Sequence, residues 1–320
     1  MRRNGLLMVL VGILAVGMLF AQFPTKPVEI IIPWSAGGAT DLIFRAIAAV
    51  FPKYANGQPL VIRNIPGAGA VTGTMEFLKA KPDGYTLLSF AFPILVKMHW
   101  DEVKFTIDDF VPVINIVHDP SYILVNANSP YKTLNDLIQA AKANPGAITM
   151  GNGGAGGGNH LVAVAFEDFV GVKFTHVPFE GGGPAVTALV GGHIDAVMAA
   201  APEGVTNVQA GQLRVLAVLG EKRLDVFPDV PTTVELGINF KLGMWRGVAA
   251  PKGTPAEIVQ ALHDIFYKCI NDPEFQAKAK EMGNIISYMD SATFAQFVKQ
   301  QNDYWERLMK EKKLGNKYGK

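Results

Sequence analysis

Two glycine-rich stretches carry the chemistry that can be read in this chain. Ser35-Ala36-Gly37-Gly38-Ala39-Thr40-Asp41 and Gly151-Asn152-Gly153-Gly154-Ala155-Gly156-Gly157-Gly158 each follow a short apolar run and precede a helix-forming segment. The first turn of a helix presents amide N–H groups with no partner inside the helix, and with them about half a positive charge. Glycines ahead of that turn let an anion reach the amides with no Cβ in the way. The hydroxyls of Ser35 and Thr40 stand beside the first set, and the second continues through Asn159 and His160. Residues of these types at these places grip a small anion, such as a carboxylate, without lysine or arginine.

Such loops need strands before them and helices behind. Val28–Pro33 reads as a buried parallel strand and Leu42–Phe51 as the helix that follows the first loop. Leu60–Arg63 is a second strand, leading through Pro66-Gly67-Ala68-Gly69 into another helix, and Tyr85–Phe90 a third strand after the Asp83-Gly84 turn. The order repeats: strand Ala147–Met150, loop, helix Leu161–Phe169, strand Phe174–Pro178, loop Gly181-Gly182-Gly183, helix Pro184–Val190, strand Ile194–Met198. Parallel strands need helical crossovers, so two such units imply an α/β protein with two lobes.

Val111–Val125 and Leu213–Val218 are strand-like where the chain passes between lobes, which makes them candidate hinges. Leu134–Ala143 reads as a helix capped by Thr133 or Ser129. Beyond Pro251-Lys252-Gly253-Thr254-Pro255 come helices at Ala256–Asn271, Glu274–Met282 and Ser291–Lys312. The spacing of Ile258, Leu262, Ile265, Phe266 and Cys269 gives the first of these a core-facing stripe. The C-terminal part is therefore expected to complete the first lobe, dividing the chain into residues 22–115 with 235–320 around a second lobe at 116–234.

At 320 residues, 49% hydrophobic and a net charge of +1, the chain can build two cores and has no basic surplus to suit nucleic acid. Arg2 and Arg3 precede the charge-free run Leu6–Ala21, short for a membrane span and suited to a secretory signal cleaved after Ala21; an uncleaved anchor is the alternative. The single cysteine, Cys269, allows neither an internal disulfide nor a lipidated N-terminus. The six histidines are scattered without metal-ligand spacing, so neither a metal nor a cofactor is expected.

Taken in order, Lys26-Pro27, Ile30-Ile31-Ile32-Pro33, Gly37-Gly38-Ala39-Thr40-Asp41, Arg63-Asn64-Ile65-Pro66-Gly67-Ala68-Gly69, Pro82-Asp83-Gly84-Tyr85-Thr86-Leu87, His176-Val177-Pro178-Phe179, Gly192-His193-Ile194-Asp195, Phe227-Pro228-Asp229-Val230-Pro231-Thr232 and Ala250-Pro251-Lys252-Gly253-Thr254-Pro255 resemble the substrate-binding proteins of the tripartite tricarboxylate transporters, the Bug receptors. The resemblance implies a two-lobed periplasmic-binding-protein fold of type II with the ligand cleft between the lobes. It also implies a monomer in the periplasm that hands a carboxylate to a permease of one large and one small subunit. Carried onto this sequence, it places a ligand carboxylate between Ala36, Gly37, Gly38, Thr40 and Asp41 of one loop and Gly156, Gly157, Asn159 and His160 of the other. For Asp41 the alternative is a cap that orders the loop, since a carboxylate repels an anion.

Phe179-Glu180-Gly181 departs from the Tyr-Lys-Gly common in the family. Pointing inward, Glu180 would disfavour a second carboxylate and favour an ammonium or hydroxyl group; solvated at the loop surface, it would select nothing. Arg246 either pairs with Glu180 or lies on the surface. Trp34, Phe90 and Phe179, with Phe92, could wall the ligand, or simply fill cores.

Two other functions fit parts of the chain. Gly151-Asn152-Gly153-Gly154-Ala155-Gly156 satisfies the G-x-G-x-x-G string of dinucleotide-binding enzymes, with Glu180 at the end of the next strand, but the string is weak evidence and a secreted protein has little dinucleotide to meet. A sensory receptor passing its closed shape to a kinase would use the same residues as a transport receptor.

Overall fold

The computed structural model describes residues 23–319, so the Leu6–Ala21 segment lies outside the described residues. The first unit is β1 (Val28–Ile32), α1 (Ala39–Val50), β2 (Leu60–Asn64), α2 (Val71–Phe77) and β3 (Thr86–Ala91), followed by α3 (Phe92–Trp100). The second is β5 (Thr149–Asn152), α5 (Gly158–Val170), β6 (Thr175–Pro178), α6 (Gly182–Val190) and β7 (Ala196–Ala200). In each unit the first strand runs parallel to the other two and between them, giving β2-β1-β3 and β6-β5-β7. The repeated order expected from the sequence is present as two copies of one topology.

Between the units runs β4 (Phe110–Asn126), with α4 (Leu134–Ala143) after it. Its 17 residues extend about 55 Å and belong to both sheets. Phe110–Pro120 pairs antiparallel with β9 (Gly243–Pro251), and Ser121–Val125 pairs with β7. The change of partner falls at Pro120, which has no N–H to continue a ladder. The remaining strands, β8 (Leu213–Val218), which follows α7 (Val205–Gln209), and β10 (Ile286–Met289), which falls among the C-terminal helices, also pair with β4. The strand order is β2-β1-β3-β9-β4-β7-β5-β6, one curled path through both halves.

Helices α8 (Ala256–Ile270), α9 (Pro273–Glu281), α10 (Ser291–Lys312) and α11 (Gly315–Tyr318) close the chain. Ile258, Leu262, Ile265, Phe266 and Cys269 of α8 are all buried, as their spacing predicts, and α10 packs on β4 and α3. Each such side chain removed from water contributes about 1.5–3 kcal/mol. α3 and β9 go beyond the sequence reading. Pro93 looks like a helix breaker but sits in the first turn of α3, where its missing N–H costs nothing. Gly243, Arg246 and Gly247 interrupt the apolar run of β9, yet from Met244 to Pro251 the strand is buried.

Candidate functional site

α1 begins at Ala39, earlier than the Leu42 expected, so Thr40 and Asp41 belong to its first turn. Gly37 turns the chain at φ +81°, a left-handed conformation open to glycine. Asp41 is buried and accepts from the Gly37 N–H (2.9 Å), Arg45 Nε (2.7 Å) and Asn64 Nδ2 (3.0 Å). Although burial opposes the charge, these bonds from Arg45, Gly37 and Asn64 hold its carboxyl below the usual carboxylate range. With those acceptor sites engaged, Asp41 is the brace of the loop.

α5 likewise begins earlier than expected, at Gly158, so Asn159 and His160 lie in its first turn, just after the cap Gly157. Gly156, at φ +68°, donates its N–H to His160 Nδ1 at 3.0 Å, and a Cβ on Gly156 would overlap the Trp100 ring. Burial, with His176 close by, pushes the His160 imidazole down to about 4. It is therefore neutral at pH 7, with Nδ1 spent as an acceptor, and its ring meets Trp100 and His176 edge-on. His160 shapes the loop; it does not line the cleft chamber described next. Asn159 does: its Nδ2 donates to Glu203 Oε2 at 3.0 Å, and its Oδ1 is buried without a partner.

The two units meet across a closed cleft. Ser35 donates from its N–H (3.2 Å) and Oγ (2.6 Å) to the Glu180 carbonyl, and Lys97 Nζ donates to the Ala155 carbonyl at 2.7 Å. Behind these contacts lies a chamber of about 40 Å³, bounded by Trp34, Gly38–Thr40, Gly153, Asn159, Gly182 and Glu203, with Met244, Trp245 and Arg246 at its back. The first turns of α1, α5 and α6 all supply wall residues. A larger cavity of about 570 Å³ shares Trp34 and Gly153 with the chamber and adds Gly69, Lys97, Phe179 and Glu180.

Glu203, only 6% exposed, presents the chamber with a carboxylate. Oε1 accepts from the Ala39 N–H of α1 (3.4 Å) and Oε2 from the Ala200 N–H (3.2 Å), and a Cβ on Gly182 would overlap the group. Burial raises its titration point against the pull of Arg246 and these amides. Arg246 donates from Nη1 to Asp119 Oδ2 (2.6 Å) and from Nε to Thr40 Oγ1 (3.3 Å). Asn284 Nδ2 and the Ile285 N–H complete the shell of Asp119, whose carboxyl burial pushes up to about 6.

Three sequence readings need correction. Phe90 is a core residue: fully buried, with its ring against Phe110, Trp245 and Phe294. It is absent from the chamber wall because its side chain at the end of β3 points into the lobe core. Arg246 neither lies on the surface nor pairs with Glu180, since β9 carries it inward to Asp119. Glu180 does not point inward: it is exposed, as the surface alternative has it, and it is its carbonyl, not its carboxylate, that meets Ser35 of the first loop. Of the other expected residues, Trp34, Gly38 and Thr40 line the chamber with Asn159; Ser35 and Gly181 form the seam, where Gly181 caps α6; Phe179 lines the larger cavity; and Ala36 and Gly37 face a separate opening beside α6 and α7.

The same two-unit topology with a central cleft is met in known receptors. Residues 43–314 match the model of the tripartite tricarboxylate transporter family receptor. The chain belongs to this family. The receptor is 38% identical over 303 residues to the UPF0065 protein in the gbd 5′ region of Cupriavidus necator, covering 93% of this chain and 89% of that protein. A solved periplasmic transporter structure superposes with a TM-score of 0.86 at 32% identity, covering 92% of the receptor and 99% of that chain. R. palustris Rpa4515 with adipate superposes with a TM-score of 0.85 at 28% identity, covering 90% and 97%.

Members of this family are solute-binding receptors, not enzymes. The G-x-G-x-x-G string falls accordingly: Gly151 and Asn152 belong to β5 itself, so the string does not start at a turn. Among the described residues no group of three or more His, Cys, Asp or Glu is placed to hold a metal ion, and no helix is long and apolar enough to cross a membrane. Sequence reasoning missed Glu203 and Lys97. The available signal for Glu203 was its place in Ala199-Ala200-Ala201-Pro202-Glu203, just past the C-terminal end of a parallel strand, where α/β sheets hold ligands.

Proposed function

We propose that the protein is an extracytoplasmic receptor that binds a small carboxylate, a di- or tricarboxylate or an amino-acid-like acid, and delivers it to a tripartite tricarboxylate-type secondary transporter. The observation that carries this reading is the convergence of the first turns of α1, α5 and α6 on one cleft between two sheets. Amides there favour an anion, and each helix end adds about half a positive charge. The adipate held by R. palustris Rpa4515 is a ligand of this class.

Hinge closure is the mechanism. β4 joins the lobes, taken as residues 22–115 with 235–320 and 116–234, and changes pairing partner at Pro120, where the hinge would act. A carboxylate bridging Gly38–Thr40 and Gly158–Asn159 is fully held only when the lobes meet, so ligand shifts the population toward the closed form. The closed monomer then offers both lobes to the large and small permease subunits in the periplasm, the signal having been removed after Ala21.

A thermal-shift screen of the chain from Gln22 onward tests this against mono-, di- and tricarboxylates, amino acids, NAD and NADP. A carboxylate at a hundredfold excess over its Kd should stabilise by about 2.7 kcal/mol. A response to NAD or NADP alone, or to no carboxylate, would overturn the reading. Uptake assays with and without the permease genes separate transport from signalling.

A further inference from the structure

A carboxylate already occupies the place where the helix ends converge. Glu203 accepts from the first turn of α1, from Asn159 of α5 and from the Ala200 N–H, and lies against the Cα of Gly182 at the start of α6. The buried charges around the chamber are then one cation, Arg246, against two carboxylates, Asp119 and Glu203. Asp119 is matched by Arg246, and the helix ends are matched by Glu203. A ligand bringing only a carboxylate into this site adds an uncompensated negative charge where water is excluded, which is costly.

One buried polar atom beside the chamber has no partner: Asn159 Oδ1, an acceptor, next to the Nδ2 that donates to Glu203. The walls therefore combine acceptors, Glu203 and Asn159 Oδ1, with donors, the Thr40 hydroxyl and the Arg246 guanidinium.

We propose that Glu203 makes this receptor selective for 2-ammonio acids, zwitterions whose ammonium faces Glu203 and Asn159 Oδ1 while the adjoining carboxylate faces Thr40, Arg246 and the amides of α1. The zwitterionic head brings no net charge, so it leaves the chamber's balance as it is. The 40 Å³ chamber widens as the lobes part to admit the head, and the remainder of the ligand extends past Trp34 and Gly153 into the 570 Å³ cavity beside Lys97. The raised titration point of Glu203 reflects the same burial that makes an unmatched second anion unfavourable.

This inference rests on the carboxylate-receptor reading, and one experiment separates their failures. Isothermal titration of the chain from Gln22 onward at pH 7 uses three matched sets: aspartate, malate and succinate; glutamate, 2-hydroxyglutarate and glutarate; alanine, lactate and propionate. Within the set that binds, the amino member should bind at least tenfold tighter than the unsubstituted acid, with the hydroxy member between them. Glu203→Gln should shrink that ratio at least tenfold, partly by tightening the unsubstituted acid. An unsubstituted acid that binds wild type as tightly as its amino counterpart overturns the proposal without any variant, so a poorly folding Glu203→Gln leaves it testable. An unchanged ratio in a folded Glu203→Gln also overturns it, and binding of no acid from any set overturns the receptor reading as well.

Discussion

The ammonium of Lys97, on α3 of one lobe, lies 2.7 Å from the carbonyl oxygen of Ala155 in the glycine loop of the other. It is 5% exposed, and Asp101 one turn along balances its charge at 2.5 Å. This is a charge-assisted bond between the two halves, whereas the pair with Asp101 lies within α3 and belongs to one half alone. On the proposed hinge closure, replacing Lys97 with methionine should weaken ligand binding roughly tenfold, equivalent to about 1.4 kcal/mol, and replacing Asp101 with asparagine, which keeps the Lys97–Ala155 bond, should weaken it less. Titration calorimetry of both variants measures the difference. Equal losses of affinity in the two variants would show that the bond to Ala155 plays no part in binding.

Gly37 and Gly156 offer a paired test of the two loops. Both have positive φ, but a Cβ at Gly37 meets nothing within 4 Å, whereas at Gly156 it overlaps Trp100. Gly37→Ala should cost about 1 kcal/mol, from backbone strain alone. Gly156→Ala adds displacement of Trp100 and of the bond to His160, and should cost at least about 2 kcal/mol more. Urea unfolding of the two variants side by side measures the difference; equal costs would place Trp100 away from the loop.

The pH behaviour of His160 has a definite sign. Its native imidazole titrates at about 4, against roughly 6.5 in an unfolded chain. Between those values the unfolded chain holds a proton that the native protein does not. The contribution of this group is thus complete above about pH 6.5 and is lost as pH falls toward 4, a change of roughly 3 kcal/mol. His160→Gln lacks that titration, so the stability advantage of wild type over it should shrink by about this amount between about pH 7 and pH 4. Urea melts at the two pH values check it, and a constant gap would mean that the imidazole is not held neutral.

Asp119 and Arg246 form a buried pair at the point where β4 changes sheets, with Asn284 tied both to Asp119 and to the Ala201 carbonyl of the second unit. Removing one member strands the other's charge. Asp119→Ala and Arg246→Met should each cost about 3–5 kcal/mol, and the double variant less than their sum. Chemical denaturation of the four proteins gives the coupling directly, and strict additivity would mean that the ion pair is not formed.

The two strand-loop-helix units were legible because their pattern is local: an apolar run, glycines, then a helix, twice. Within the site, local pattern located the glycine loops but not the side chains that close the chamber. Arg246 read as a surface residue because its partner, Asp119, lies far away along the chain and meets it only once β9 pairs with β4. Phe90 read as a ligand wall because an aromatic at a strand end looks alike whether it faces the cleft or the lobe core. Glu203 went unnoticed because nothing local marks an acid after Ala199-Ala200-Ala201-Pro202 as buried; its surroundings come from three separate helices. Charge balance in a cleft depends on tertiary packing, and single-sequence patterns carry little of it.

The continuity of β4 reaches beyond binding. Since β1, β2 and β3 join β9 in a sheet completed by the first half of β4, both ends of the chain are needed to build that half of the molecule. The central portion is joined to it through hydrogen-bonded strand, with no slack tether to sever. A gene cut between the halves would yield one fragment with an open sheet edge and another missing its neighbours, so the described residues 23–319 form one folding unit. The joint is a leaf spring, not a pin: any parting of the halves would have to twist hydrogen-bonded backbone.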